Sequence, residues 1–232
     1  MTSAGGLNGM KKALMILAIY ALTFCLVAVA ADKKVEVKGK QVISEAPDFT
    51  LATPTEFRLV HSSSTEHPQS SSLTRAYLVV KEKDKQMVEL LTVEIAERTN
   101  PQAEPIHVPS LKPLSEERMY SRGSVKKEER AIDYLVQGMA WNPAAPSLQP
   151  IVKAGIRIPG HWVLHGQFLF VYDVDRAVLV RYSKDVNAFG VKLSDRAESW
   201  NKASIAGNEK KVLGTFQKSF LEMVNSITFR KP

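Results

Sequence analysis

His161 and His165 stand four residues apart, and Asp173 and Asp175 stand two apart a little further along the chain. Histidines at that spacing share one face of a helix and can grip one metal ion. The intervening Trp162-Val163-Leu164 holds no glutamate to serve as a base, and Gly160 and Gly166 bracket the pair. On a strand the same two residues are about 13 Å apart, too far for one ion. Two histidines at the edge of a sheet is the simpler reading. Asp173-Val174-Asp175 follows the apolar run Phe168 to Tyr172, the place where sugar-nucleotide transferases keep a metal-binding acid pair, but aspartate also forms turns and a second apolar run begins at once. A turn accounts for it.

Ser124 with Lys127, and Ser199 with Lys202, repeat the serine–lysine spacing of penicillin-recognising acylases without that class's companion motifs. Gly-x-Ser-x-Gly, Walker and Gly-x-Gly-x-x-Gly sequences are absent, so serine-hydrolase, nucleotide and dinucleotide chemistry have no positive support. Trp141, Trp162 and Trp200 suit either a stacking platform for sugar rings or the core, and large aromatics favour the core. The sequence therefore assigns no metal and no cofactor. Its catalytic residues stay unknown, and the only candidates are His161, His165, Asp173 and Asp175.

The elements that must position these residues centre on Gln167 to Lys184. Phe168–Tyr172 and Ala177–Tyr182 are rich in aromatic and β-branched residues and flank the polar Asp173 to Arg176, the pattern of a hairpin. With so few polar residues on either face, this hairpin belongs at the centre of a covered sheet. Ala76–Val80 and Met87–Ile95 make a second hairpin. His61 to Thr74, with two serine triplets, reads as a flexible loop, and Glu97 to Pro113, with proline at every fourth position from Pro101, reads as a surface connector. Val125, Ile132, Leu135 or Val136, and Met139 keep near-helical spacing behind Ser124, which assigns a helix there, while the alternation of Ile132, Tyr134 and Val136 leaves a strand as the alternative. Ser194 to Ala206 holds a short helix with Ala197 and Trp200 inward. Leu213, Phe216, Phe220, Met223 or Val224, and Ile227 mark an amphipathic C-terminal helix. The expected class is α+β: an antiparallel sheet covered by helices, with the C-terminal helix packed on it, in one domain over residues 47–232.

Ahead of that domain, Lys11-Lys12 precede eighteen uncharged residues that end in Ala28-Val29-Ala30, the small residues a signal peptidase requires. Residues 1–30 read as a secretory signal peptide cut before Ala31, and residues 31–46 as a flexible tether. An uncleaved membrane anchor is one alternative. A lipoprotein at Cys25 is another, though Phe24 is too large for the usual lipidation site. Cys25 is the only cysteine, so cleavage leaves a chain without disulfides or thiol chemistry. The formal charge of +7 falls by two with Lys11 and Lys12, and the remaining basic residues alternate with acids, as in Lys126-Lys127-Glu128-Glu129-Arg130. Those are solvated faces rather than a nucleic-acid footprint.

The order of a first strand at Phe49, two long hairpins and a closing helix that runs into Ser226-Ile227-Thr228-Phe229 resembles the PsbP-like α/β sandwich over most of residues 47–229. In this chain Pro54 is followed by Thr55-Glu56-Phe57, where that family carries a glycine and a tryptophan. The resemblance implies a small exported domain with an accessory, non-catalytic role. Together with the leader, it gives the expected function: a periplasmic or extracellular binding protein acting by contact with another envelope protein, without nucleic acid, and touching the membrane only through an uncleaved leader. The alternative is an envelope hydrolase of cell-wall or sugar polymers built on the four residues named above.

Overall fold

The structure, a computed structural model, describes residues 35–194 and 196–230. The leader read at residues 1–30 lies outside them. The described chain is built mostly from strands, in two antiparallel sheets. Strands β1 (Val35–Lys38), β2 (Gln41–Glu45), β3 (Asp48–Ala52) and β11 (Thr228–Phe229) form a four-stranded sheet in that order. The larger sheet has seven strands: β4 (Arg58–His67), β5 (Ser72–Lys83), β6 (Gln86–Arg98), β7 (Met119–Lys127), β8 (Arg130–Ala140), β9 (Trp162–Asp173) and β10 (Arg176–Asp185). They lie in the order β4-β5-β6-β10-β9-β8-β7. The α-helices are α1 (Gln149–Lys153), a little over one turn, and α2 (Gly207–Asn225).

This corrects the α+β expectation of a sheet covered by helices. Three segments account for the difference. Residues 35–45, within the expected tether, form the hairpin β1–β2, whose Val35 and Val42 enter the main core. The serine-rich stretch from His61 is edge strand β4, paired with β5 from Arg58↔Val80 to His67↔Ser72. The helix expected behind Ser124 is instead the hairpin β7–β8. That sequence looked helical because both faces of β8 are covered: Ile132, Tyr134 and Val136 point to one side and Leu135 to the other, so apolar residues recur at three- and four-residue steps without a helix.

The hairpin β9–β10 does sit at the middle of the large sheet, in register from Ala177↔Val171 to Asp185↔Val163. Alternation divides it into two faces. On the first, Leu164, Phe168, Phe170, Val178, Val180 and Tyr182 meet α2 and the small sheet in the main core. Phe216 of α2 stacks on Tyr182 at 5.4 Å, and Phe220 lies 6.1 Å from Phe168. Phe220 also presses against the backbone of Gly166, where a Cβ would stand 2.4 Å from its ring. Glycine is needed there because helix and strand touch. Phe170 bridges to the small sheet through Phe49 at 5.8 Å and Phe229 at 5.3 Å. Burying each such ring stabilises the fold by roughly 2–3 kcal/mol.

The second face carries two separate covers. At one end α1 and its flanks place Leu148, Ile151 and Ile156 on Leu78, Val80, Leu90 and Val163. At the other, residues 99–115 cross the sheet as a strap, with Val108 and Leu111 on Leu135, Leu169 and Leu179. The proline-rich segment is therefore the surface connector its composition indicated. It is fastened by Ile106 N–H to the Val174 carbonyl (3.1 Å), by Leu114 N–H to Gln137 Oε1 (2.8 Å) and by Arg122 to the Leu111 carbonyl.

Candidate functional site

The four candidate side chains divide between the two ends of β9. His161 precedes the strand and Asp173 closes it, twelve residues further on and so about 40 Å away along an extended chain. Each is engaged with a different partner. His161 Nδ1 lies 3.3 Å from Asp185 Oδ2 and 3.0 Å from Asn187 Nδ2, and Asp185 also caps the turn by accepting from Asn187 N–H. Asp173 accepts from Arg176 Nε (2.9 Å) and from the backbone N–H of Asp175 (3.0 Å). Burial pushes its pKa up, but those two donors outweigh burial and hold it below the usual carboxylate value. Asp175 takes Arg98 Nε at 2.6 Å. Both aspartates thus belong to the β9–β10 turn.

His165 faces the second side of the sheet beside its register partner Ser183, with Nδ1 2.8 Å from the hydroxyl. A serine and histidine in contact invite a nucleophile–base reading. Burial first, and the neighbouring Arg181 second, push this histidine down to about 3. A general base works best with a pKa near the operating pH, and this one is far too weak to draw the proton from serine. The pair belongs to a row of buried polar groups between the two covers of that face, with Gln137, Gln167, Thr92 and the Arg181–Glu94 ion pair. Among the described residues no group of three or more His, Cys, Asp or Glu is arranged to hold a metal ion.

The remaining motifs are also dispersed. Ser124 and Lys127 are three apart on β7 and so point to opposite faces. Ser199 lies in a short turn, with its hydroxyl 2.9 Å from that of Ser194. Trp141 is buried beneath α1, while Trp200 is buried in the main core with Trp162 stacked on it at 6.3 Å. The guanidinium of Arg118 covers Trp162 at 5.0 Å. The tryptophans fill two different cores and present no shared platform.

One buried acid that the sequence reading passed over is fully engaged. Glu89 is 1% exposed and accepts from Tyr182 Oη (2.8 Å) and Thr55 Oγ1 (3.1 Å), with Lys184 Nζ at 3.2 Å and Lys81 Nζ at 3.5 Å. Burial and this carboxylate together push the Tyr182 phenol far up. Glu89 anchors the end of the sheet and has no capacity left for a ligand.

A concavity lies elsewhere, where the strap crosses the β8–β9 end of the sheet. It has a volume of about 720 Å³. Val108 and Pro109 of the strap form one wall, Ala131, Asp133, Leu169 and Val171 the sheet floor, and Glu128 and Glu129, in the β7–β8 turn, a polar margin. Val171 is 45% exposed, and Val174, in the turn just beyond it, is 63% exposed. The sequence reading missed this site because Glu128 and Glu129 looked like part of a solvated charge run. Only the path of the strap brings an apolar wall opposite them. A second cleft, of about 580 Å³, lies near the start of α2, where Glu209 accepts from Ser194 N–H (2.7 Å) and Ser204 donates to the Glu198 carbonyl (2.6 Å). Among the described residues no helix is long and apolar enough to cross a membrane. The chain matches no protein-family model, no curated protein sequence and no solved structure.

Proposed function

We propose that this chain is an exported binding protein that acts by surface contact with another envelope protein. The observation that supports the reading most directly is the groove beside the strap, where the exposed Val171 and a partly apolar floor offer a surface of the kind partners cover. The four residues on which a polymer hydrolase would rest lie at opposite ends of β9 in separate pairs, which removes the convergence that catalysis needs. The resemblance of element order to PsbP-like domains, and the leader ending in Ala28-Val29-Ala30, point the same way. Two measurements test the proposal. Mass spectrometry of the protein recovered from the envelope should find a chain that starts at Ala31, and a chain retaining residues 1–30 in the membrane would refute export in soluble form. The purified protein should release no products from cell-wall or sugar polymers. Turnover that is lost in His161→Ala would replace binding with hydrolysis.

A further inference from the structure

We infer that the groove beside the strap receives an extended segment of a partner protein that turns both basic and apolar side chains to the sheet. This rests on the binding reading above and specifies its surface. The floor is β-sheet; Leu169 and Val171 are two apart on the same face of β9, and on β8 Asp133 stands opposite Leu169 in register with Ala131 two residues before it on the same face. A segment laid across them in extended form presents every second side chain to that floor. The opposite wall, Val108 and Pro109, is apolar as well. The charge of the groove comes from Asp133 on its floor and Glu129 at its margin. Asp133 is exposed, and among the described residues its carboxylate meets no ion-pair or hydrogen-bond partner. Glu129 has one contact, Lys126 at 3.7 Å, between side chains that are both largely in water, and such a pair is easily exchanged.

Arg130 lines the same groove and would oppose a basic ligand were its charge free. It is committed instead. Its guanidinium lies 4.5 Å from both the Tyr172 and Phe229 rings, its Nε donates to the Tyr172 carbonyl at 3.0 Å, and its Nη1 stands 3.6 Å from Glu128. The groove is thus locally acidic on a chain whose formal charge is +7. Charge complementarity selects a basic segment, and the valines require that it also carry apolar side chains.

The test uses fluorescein-labelled octapeptides titrated against the protein purified without residues 1–30 and followed by anisotropy. A Lys-Lys-Val-Val repeat (Lys-Val below), which turns both kinds of side chain to the same face, should bind, with the corresponding Glu-Val and Lys-Ser repeats each weaker by about tenfold or more. Asp133→Lys combined with Glu129→Lys should weaken Lys-Val binding by about tenfold, and Val171→Asp should do the same, since these side chains lie at the surface and the variants keep the parent melting temperature. Raising salt from about 50 to about 300 mM should weaken binding several-fold. Equal binding of Lys-Val and Glu-Val, an unchanged affinity in the double charge reversal, or no Lys-Val binding below about 1 mM would overturn the inference. A photo-crosslinking residue placed in cells at Val171, and for comparison at Ser63 on the edge strand β4, separates this failure from that of the binding reading. A partner crosslinked only from Ser63 removes the groove and leaves the binding function standing. No partner from either position, together with polymer turnover, removes both.

Discussion

Replacing Gly166 by alanine should cost far more than one methyl group ordinarily does in a strand. The added Cβ would stand 2.4, 2.5 and 2.9 Å from three ring carbons of Phe220, where ordinary contact begins near 3.4 Å. Phe220 cannot retreat freely, because Phe168, Phe216 and Tyr134 surround it at 6.1, 6.2 and 6.4 Å between centroids. Overpacking of this kind costs about 1–3 kcal/mol, and an overlap of about 1 Å with an immobile ring belongs at the upper end. With a urea m-value of about 2–3 kcal/mol/M, the unfolding midpoint should fall by about 1 M. The assay is urea unfolding followed by tryptophan fluorescence, since Trp162 and Trp200 lie in or against the same core. Phe220→Ala alone should cost about 3–5 kcal/mol through the cavity it leaves. In the double variant the alanine methyl enters space the ring has vacated, so Gly166→Ala adds nothing to Phe220→Ala. A Gly166→Ala midpoint within experimental error of the parent, or strict additivity of the two substitutions, would refute the account of helix and strand in direct contact.

Two further outcomes concern buried polar groups. His165 is held at about 3 in the folded state, against about 6.5 when unfolded, so the unfolded chain binds more protons in between. Its contribution is complete above about pH 6.5 and is lost as pH falls towards 3, with a slope of up to about 1.4 kcal/mol per pH unit. His165→Gln should flatten the difference in unfolding free energy between pH 6 and pH 4 relative to the parent, and parallel pH profiles would show that the histidine titrates normally. Glu89→Ala should destabilise by about 3 kcal/mol, because the buried Tyr182 hydroxyl loses its acceptor and two lysines lose their counter-charge, whereas Glu89→Gln keeps an acceptor and costs less. Urea midpoints that do not separate the two variants would mean that the acceptor glutamine retains contributes nothing, and that the lost carboxylate charge accounts for the whole cost.

What could be read from the sequence followed how strongly one face of each element was marked. Leu213, Phe216 and Phe220 are buried on a helix whose other side is polar, so period and burial agree. The β9–β10 hairpin was legible from its aromatic and β-branched runs. Strand β4 was not, because an edge strand with serines on both faces has no period to detect. Nor was β8, whose two covered faces blend into a helical spacing. For the site, the spacing of His161, His165, Asp173 and Asp175 carried no information about their neighbours, since the partners Asp185, Ser183, Arg176 and Arg98 are set by strand register and turn geometry. The groove depended on a contact between the strap and β8–β9 that no local pattern encodes.

The small sheet closes late in the life of the chain. Strand β11 pairs Thr228↔Thr50 and Phe229↔Phe49, and Ser226 clasps Ala52 by accepting its N–H at 3.0 Å and donating to its carbonyl at 3.2 Å. Strand β3 and its neighbours therefore lack this cover until residues 226–229, far along the chain, are in place. Such distant pairing carries a large loop-closure entropy and slows folding. The same arrangement gives a means of quality control, because a chain that ends before Ser226 lacks the clasp and exposes Phe49 and Leu51, side chains that proteases and chaperones recognise.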